Sequence, residues 1–189
     1  MHRHIALGTL AASSCLIEVF IAPKPGLVDR AGPGAHRDMD FSTFLLSAAA
    51  LAPFWQEQAL TGLQGTPPGD ALRVLRRTGI MMDEAMFTAT SGINTHKGLV
   101  FALSLLLYGA GRSALLGSGK DPDRIAAEAA SAAQGCCERE LRSLSRSSLK
   151  RCLTSGERIF LEHGLTGICL LYTSPSPRDR TRYRMPSSA

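Results

Sequence analysis

The chain has 189 residues, of which 44% are apolar and only 6% aromatic, and this balance fits one well-buried domain rich in helix. Four of the basic side chains behind the net charge of +5 lie in the last 21 residues, so residues 1–168 carry 17 basic and 15 acidic side chains. That near balance argues against a nucleic-acid partner. No apolar run reaches the about 18 to 20 residues of a membrane span. Five cysteines without a CxxC pair favour reduced thiols, and we expect a cytoplasmic protein.

The first two predicted helices flank a polar loop. Apolar residues recur at helical spacing over most of residues 4–165, without a convincing strand pattern. The first helix covers about residues 4–22 and ends at the PKPG segment, where two prolines and a glycine interrupt it. After the loop LVDRAGPGAHRDMD, a second helix covers about residues 41–55 and kinks at Pro53.

Four further helices are predicted downstream. The third ends near Thr90, and the segment SGINTHKG joins it to a fourth over about residues 95–110. Glycines and a DPD sequence predict a break over residues 109–123, after which Asp121 or Asp123 caps a fifth, alanine-rich helix. A last amphipathic helix carries Ile159 and Phe160. The predicted fold class is therefore all-α, a single-domain helical bundle of about six helices.

The end of the chain differs from the rest. Residues 169–189 lack apolar periodicity, and CLLYTSPSPRD resembles the translation of a transposon-type sequencing adapter. The predicted domain organisation is a partial helical domain over 1–168, incomplete at its C-terminus, and a non-native, disordered tail over 169–189. A native disordered basic tail is the alternative.

Polar side chains concentrate in two of the predicted breaks. The first break holds a cation-rich and carboxylate-rich set: Lys24, Asp29, Arg30, His36, Asp38 and Asp40. His36, Asp38 and Asp40 alternate, so an extended loop can point them the same way. Several carboxylates close together suit a hard cation such as Mg²⁺. The alternative is that Asp38 and Asp40 only cap the second helix.

The second break precedes the most apolar helix. It contains Asn94, Thr95, His96 and Lys97 between glycines. Unpaired backbone N–H groups at a helix start, with a lysine beside them, are typical of an anion site. A plain helix cap at Asn94 or Thr95 is the alternative.

Two long motifs resemble a known family. PKPGLVDRAGPGAHRDMDF (residues 23–41) and TSGINTHKGLVFAL (residues 90–103) are similar to the signature segments of triphosphoribosyl-dephospho-CoA synthases, the CitG/MdcB family. LRRTGI (residues 75–80) and HGLTGI (residues 163–168) extend the resemblance.

The resemblance implies an enzyme with two nucleotide substrates. It would transfer the 5-triphosphoribosyl group of ATP to 3'-dephospho-CoA and release adenine. The product would be the prosthetic-group precursor for the acyl carrier protein of citrate lyase or malonate decarboxylase. The family pattern also implies a glutamate where this chain has Asp83, and an RGEA sequence after HGLTGI that this chain lacks.

Roles for the polar residues follow as hypotheses. Asp38 and Asp40, with Asp29, would hold Mg²⁺ on the triphosphate of ATP, and the remaining loop groups would bind phosphate: Lys24, Arg30, Asn94, Thr95 and Lys97. Asp83 or His36 would act as the base, and His96 would orient a phosphate or act as the acid. Two alternatives remain: a metal-dependent ribosyl-nucleotide hydrolase and an inactive nucleotide-binding fragment.

Overall fold

The computed structural model describes residues 3–136. These residues form six α-helices and one 3₁₀ helix without any named strand, which confirms the all-α prediction. The elements are α1 (Arg3–Phe20), α2 (Phe41–Leu51), a 3₁₀ helix (Ala52–Phe54), α3 (Trp55–Leu63), α4 (Pro68–Ala89), α5 (Lys97–Leu115) and α6 (Pro122–Ala133). Met1–Ala132 is one compact unit. The predicted last helix and the tail lie outside the described residues.

The predicted second helix is two helices in the structure. Pro53 has no N–H and its ring clashes with the carbonyl four residues earlier, so a continuous α-helix cannot pass through it. The chain makes one 3₁₀ turn at Ala52–Phe54 and continues as α3 to Leu63. The interruption lies at Pro53 as predicted, but it separates two helices instead of bending one.

The predicted end of α5 near residue 110 is wrong, because the helix continues to Leu115. Gly109 and Gly111 are contact points between helices. A Cβ atom on Gly111 would collide with the carbonyl oxygen of Ala59 on α3, and one on Gly62 would collide with the carbonyl oxygen of Tyr108 on α5. Gly62 and Gly111 therefore let the backbones of α3 and α5 come into contact.

Helix α5 is also the one described helix that is long and apolar enough to cross a membrane, which the sequence analysis did not anticipate. Half of its apolar window is buried inside the protein. It packs against α1, α3 and α4, as the central helix of a bundle does. Its first turn therefore lies where several helices converge.

The core that supports this convergence is built mainly from α1 to α5. Trp55 is completely buried at the start of α3. Around it the buried apolar residues form a single cluster: Ala11, Cys15, Ala48, Leu51, Ala59, Met82, Met86, Val100 and Leu107. Because all five helices contribute, the core fixes the positions of α2, α4 and the start of α5 relative to one another.

Polar contacts fix the opposite end of α5. The Arg112 side chain donates to Glu128 on α6 at 2.7 Å and to the carbonyl oxygen of Thr66 at 3.3 Å. Tyr108 donates to the same carbonyl at 2.9 Å. The Asp121 carboxylate accepts the backbone N–H groups of residues 123 and 124, so of the two caps that the sequence allowed, Asp121 caps α6.

Candidate functional site

A tight connection between α4 and α5 positions the second polar segment. Ser91 and Gly92 both have positive φ, 55° and 87°, which turns the chain sharply after α4. The Thr90 hydroxyl contacts the carbonyl oxygen of Ile93 at 2.6 Å and closes the turn. Asn94 then accepts the Lys97 backbone N–H at 3.3 Å, while His96, the residue directly before α5, makes no side-chain capping bond.

His96 is buried just before α5, with 5% of its surface exposed. Its Nδ1 lies 2.6 Å from the Ser47 hydroxyl of α2, and the Thr95 hydroxyl donates to the same oxygen at 2.7 Å. The Phe44 ring packs edge-on against the imidazole. Burial lowers the pKa of His96, while Glu18 acts in the opposite direction and Lys24 in the same direction.

Asp83 and Lys97 form the charged part of the site. The Lys97 ammonium lies 3.6 Å from Oδ2 of Asp83, across the junction of α4 and α5. Oδ1 of Asp83 is buried and has no hydrogen-bond partner within residues 3–136. Burial raises the pKa of Asp83, and the charge of Lys97 opposes that rise. The site thus holds a carboxylate with an unused oxygen beside a cation.

The start of the first polar loop is tied to the end of α1. The Lys24 ammonium donates to the Glu18 carboxylate at 2.8 Å and to the Glu18 carbonyl at 3.0 Å. The Asp29 carboxylate accepts backbone N–H groups of Lys24 and Ala31, each at 2.7 Å, and of Gly32 at 3.3 Å. The Lys24 N–H, followed by those of Ala31 and Gly32, lowers the pKa of Asp29. The Asp29 carboxylate therefore stabilises the conformation of the loop backbone.

The end of the same loop forms the cap of α2. Asp40 accepts the backbone N–H and the hydroxyl of Thr43, each at 2.8 Å, and Thr43 in turn accepts the Asp40 N–H at 3.3 Å. This reciprocal capping box is the alternative that sequence reasoning left open for Asp40. His36 is partly exposed and Asp38 is exposed, and Nδ1 of His36 lies 4.0 Å from Oδ1 of Asp38. Arg30 is exposed as well.

The predicted three-carboxylate metal site is not assembled. Within residues 3–136, no group of three or more His, Cys, Asp or Glu side chains is close enough to hold a metal ion. Both oxygens of Asp29 accept backbone N–H groups and Oδ1 of Asp40 accepts that of Thr43, whereas Asp38 accepts none within this range.

Comparison with known proteins decides the family. Residues 5–178 match the family CitG, described as ATP:dephospho-CoA triphosphoribosyl transferase. The chain belongs to this family. The match reaches past residue 168, into the segment predicted to be a non-native tail. No solved structure matches the chain.

The curated relatives of this CitG-family chain carry the corresponding synthase name. A "Probable 2-(5''-triphosphoribosyl)-3'-dephosphocoenzyme-A synthase" of Albidiferax ferrireducens is 44% identical over 166 residues, covering 86% of this chain and 53% of the relative. A protein of the same name from Vibrio cholerae is 40% identical, covering 85% and 51%. The 2-(5''-triphosphoribosyl)-3'-dephosphocoenzyme-A synthase of Pectobacterium atrosepticum is 37% identical, covering 82% and 51%. The chain spans about half the length of these relatives.

Sequence reasoning missed two residues that organise the site of this CitG-family chain. Ser47 stands among the apolar residues of α2, and a serine at such a position is expected to be buried with a polar partner. In the structure it is completely buried. Glu18 lies on the predicted first helix, and in the structure it pairs with Lys24 and raises the pKa of His96 against the effect of burial.

Substitution of Asp40 should show how much its cap contributes to stability. Asparagine caps as well as aspartate, whereas alanine does not. We expect Asp40→Asn to leave Tm unchanged and Asp40→Ala to lower it by about 2–4 °C, measured by circular dichroism. Asp38→Ala, at an exposed position, is the matched control and should leave Tm unchanged. Equal losses for Asp40→Asn and Asp40→Ala would show that the carboxylate charge matters more than the cap.

The buried imidazole should make stability depend on pH. The unfolded chain binds a proton near the ordinary histidine pKa of 6.5, while folded His96 binds one only at lower pH. The free energy of unfolding should therefore fall as the pH drops below about 6.5 and level off below the folded pKa. We expect Tm to be lower at pH 5 than at pH 7.5, and His96→Asn to reduce that difference. The control is His36→Asn, at a partly exposed position, and it should retain the difference.

Proposed function

We propose that this chain carries part of the site that transfers the 5-triphosphoribosyl group of ATP to 3'-dephospho-CoA with release of adenine. The supporting observation is the pairing of Asp83 on α4 with Lys97 at the start of α5. Lys97 belongs to the segment of residues 90–103 that resembles the family signature, and both residues lie in the range that matches the family. A cation for phosphate and a carboxylate beside it are two of the groups that this reaction requires. We expect the product to serve the acyl carrier protein of citrate lyase or malonate decarboxylase, in the cytoplasm.

The first turn of α5 supplies donors for a phosphate. Val100 is the first residue of the helix whose N–H bonds a preceding carbonyl, that of His96 at 2.8 Å. The N–H groups of Gly98 and Leu99 have no acceptor within the described range. Together with the Lys97 ammonium, which is more than half exposed, they favour an anion at this position.

Asp83 is suited to accept the proton of the attacking group. In the proposed step, a ribose hydroxyl of dephospho-CoA forms a bond to the anomeric carbon of the ATP ribose. The carbon–nitrogen bond to adenine breaks, and its electron pair leaves with adenine. The hydroxyl proton passes to Asp83, and adenine takes a proton from solvent. A carboxylate whose pKa is raised by burial is a better base than an exposed one.

The described carboxylates do not fit a Mg²⁺ site made by the protein alone, because Asp29 and Asp40 are bound to backbone N–H groups. Mg²⁺ enters this proposal as the counterion of the ATP substrate. Such an ion keeps phosphate oxygens and water as most of its ligands and needs few carboxylates. Lys24 and Arg30 remain proposed contacts for the nucleotide phosphates.

The test is adenine release from ATP by the 189-residue chain, followed by chromatography with and without dephospho-CoA. Release that requires dephospho-CoA supports the transferase. Release without it indicates the ribosyl-nucleotide hydrolase and overturns the proposal. A folded chain that binds ATP but releases no adenine also overturns it for this chain and indicates a nucleotide-binding fragment.

Lys97→Met should raise the KM for ATP, because it removes the cation proposed to bind phosphate. We expect about a tenfold to hundredfold increase, since hydrogen bonds to charged groups contribute about 1.5–3 kcal/mol. Lys120→Met is the matched control, because Lys120 is an exposed lysine in the connection that follows α5. Equal effects of the two substitutions would argue against a specific role for Lys97.

A further inference from the structure

A buried chain of hydroxyl groups ends on the imidazole of His96. The Thr95 hydroxyl donates to the Ser47 hydroxyl at 2.7 Å, and the Ser47 oxygen lies 2.6 Å from Nδ1 of His96. Ser47 is completely buried, and His96 is 5% exposed. The Thr95–Ser47 distance is ordinary for a bond between hydroxyl groups and the Ser47–His96 distance is shorter, so both contacts are hydrogen bonds that hold the three side chains in place.

The direction of these bonds determines which ring nitrogen carries the proton. A serine hydroxyl has a single proton to donate. Ser47 receives a bond from Thr95 and has no other acceptor for its own proton within residues 3–136, so that proton is used only if Ser47 donates to Nδ1 of His96. A neutral imidazole has one N–H and one acceptor nitrogen. Nδ1 is then the acceptor, and the ring proton is on Nε2.

The Nε2 edge of the ring is available for a ligand. Nε2 makes no hydrogen bond within residues 3–136. It is also not fully buried, so solvent reaches it. The two charged groups that influence the ring are Glu18 on α1 and Lys24 in the first polar loop, and these two are paired with each other. The ring also packs against Phe44.

We propose that Ser47 and Thr95 are positioning residues that hold His96 as the neutral Nε2–H tautomer, so that His96 donates a hydrogen bond to a phosphate oxygen of the nucleotide. The substrate part of this proposal rests on the proposed function, whereas the tautomer does not. His96 then serves as a neutral donor that stabilises negative charge, and the proton acceptor of the reaction is a different group.

The tautomer can be measured directly by NMR. Long-range ¹H–¹⁵N correlation spectra of the folded chain at pH 7.5 distinguish a protonated ring nitrogen from an unprotonated one, and the His96→Gln spectrum assigns the signals. We expect a protonated Nε2 and an unprotonated Nδ1 in the unsubstituted chain. A protonated Nδ1 would overturn the proposal, whatever the enzymatic activity of the chain.

Substitutions test the roles of the two hydroxyl groups. Ser47→Ala should let the Nδ1–H tautomer become detectable, because it removes the donor. Thr95→Val should weaken the preference for Nε2–H, and Thr95→Ser, which keeps the hydroxyl, should restore it. Ser104→Ala is the control, because Ser104 is a buried serine whose hydroxyl has no partner within the described residues. An unchanged tautomer in both Ser47→Ala and Thr95→Val would overturn the positioning role.

Inorganic triphosphate tests the ligand contact. Its addition should shift the Nε2 and Hε2 signals of His96 in the unsubstituted chain, with a smaller shift in Ser47→Ala. No shift at His96, while the Lys97 or Gly98 amide signals respond, would overturn the contact with phosphate. It would leave the proposed transferase reaction to be judged by adenine release alone, so failure of this inference and failure of the proposed function remain distinguishable.

Discussion

Gly111→Ala should lower the free energy of unfolding by about 3 kcal/mol or more. The added Cβ would collide with the carbonyl oxygen of Ala59 and lie 2.9 Å from the backbone nitrogen of Leu63. Both are backbone atoms of α3, so no side chain can rotate away and the two helices must separate. Urea denaturation followed by circular dichroism measures the change.

Gly79→Ala is the matched control for this substitution. Gly79 also lies inside a helix, but the nearest atom to its added Cβ is a side-chain carbon of Val100 at 4.0 Å. Alanine should therefore increase stability there by about 0.5–1 kcal/mol through its better helix propensity. If the two variants changed stability by the same amount, the close contact of α3 and α5 would be contradicted.

Asp83→Asn should reduce dephospho-CoA-dependent adenine release by about 10²–10⁴-fold, because asparagine cannot accept the proton of the attacking hydroxyl. Its exposed neighbour Glu84 provides the control, and Glu84→Gln should leave the rate unchanged. Adenine release by Asp83→Asn at the rate of the unsubstituted chain would remove Asp83 from the proposed mechanism.

The same substitution should slightly increase stability at neutral pH. Burial raises the pKa of Asp83, so the folded carboxyl binds its proton more tightly than the unfolded one does. The ionised group therefore reduces the free energy of unfolding as the pH rises through the folded pKa, and asparagine removes this cost. The lost pair with Lys97 is 3.6 Å long and the lysine is mostly exposed, so it contributes little. A Tm above that of the unsubstituted chain at pH 7.5 but not at pH 3 is the expected result.

Much of the fold was predictable from periodicity and from prolines. The apolar stripes identified the helices that are described, and Pro53 and Asp121 marked a break and a cap correctly. The end of α5 was missed because sequence alone does not separate a glycine that interrupts a helix from one that admits a neighbouring backbone. Gly111 is of the second kind, and only the presence of Ala59 on the other side reveals it.

The candidate site was predictable in its residue types and less so in their contacts. Asp83, His96 and Lys97 lie at or beside the start of α5, where the motif placed an anion site. Asp29 and Asp40 carry the carboxylates that a metal ion could use, but Asp29 accepts backbone N–H groups of its own loop and Asp40 accepts one from the first turn of α2. Composition gives the number of carboxylates, whereas the local turn determines whether their oxygens are free.

The contact between α3 and α5 has a consequence for how this sequence can change over evolution. Where two helices meet through side chains, substitutions on either helix shift their spacing gradually. Here Gly62 and Gly111 bring backbone against backbone, and the spacing is set by atoms that every amino acid shares. We expect the spacing of α3 and α5 at this contact to tolerate a conservative change of a core side chain such as Leu107 better than a single added methyl group at Gly111.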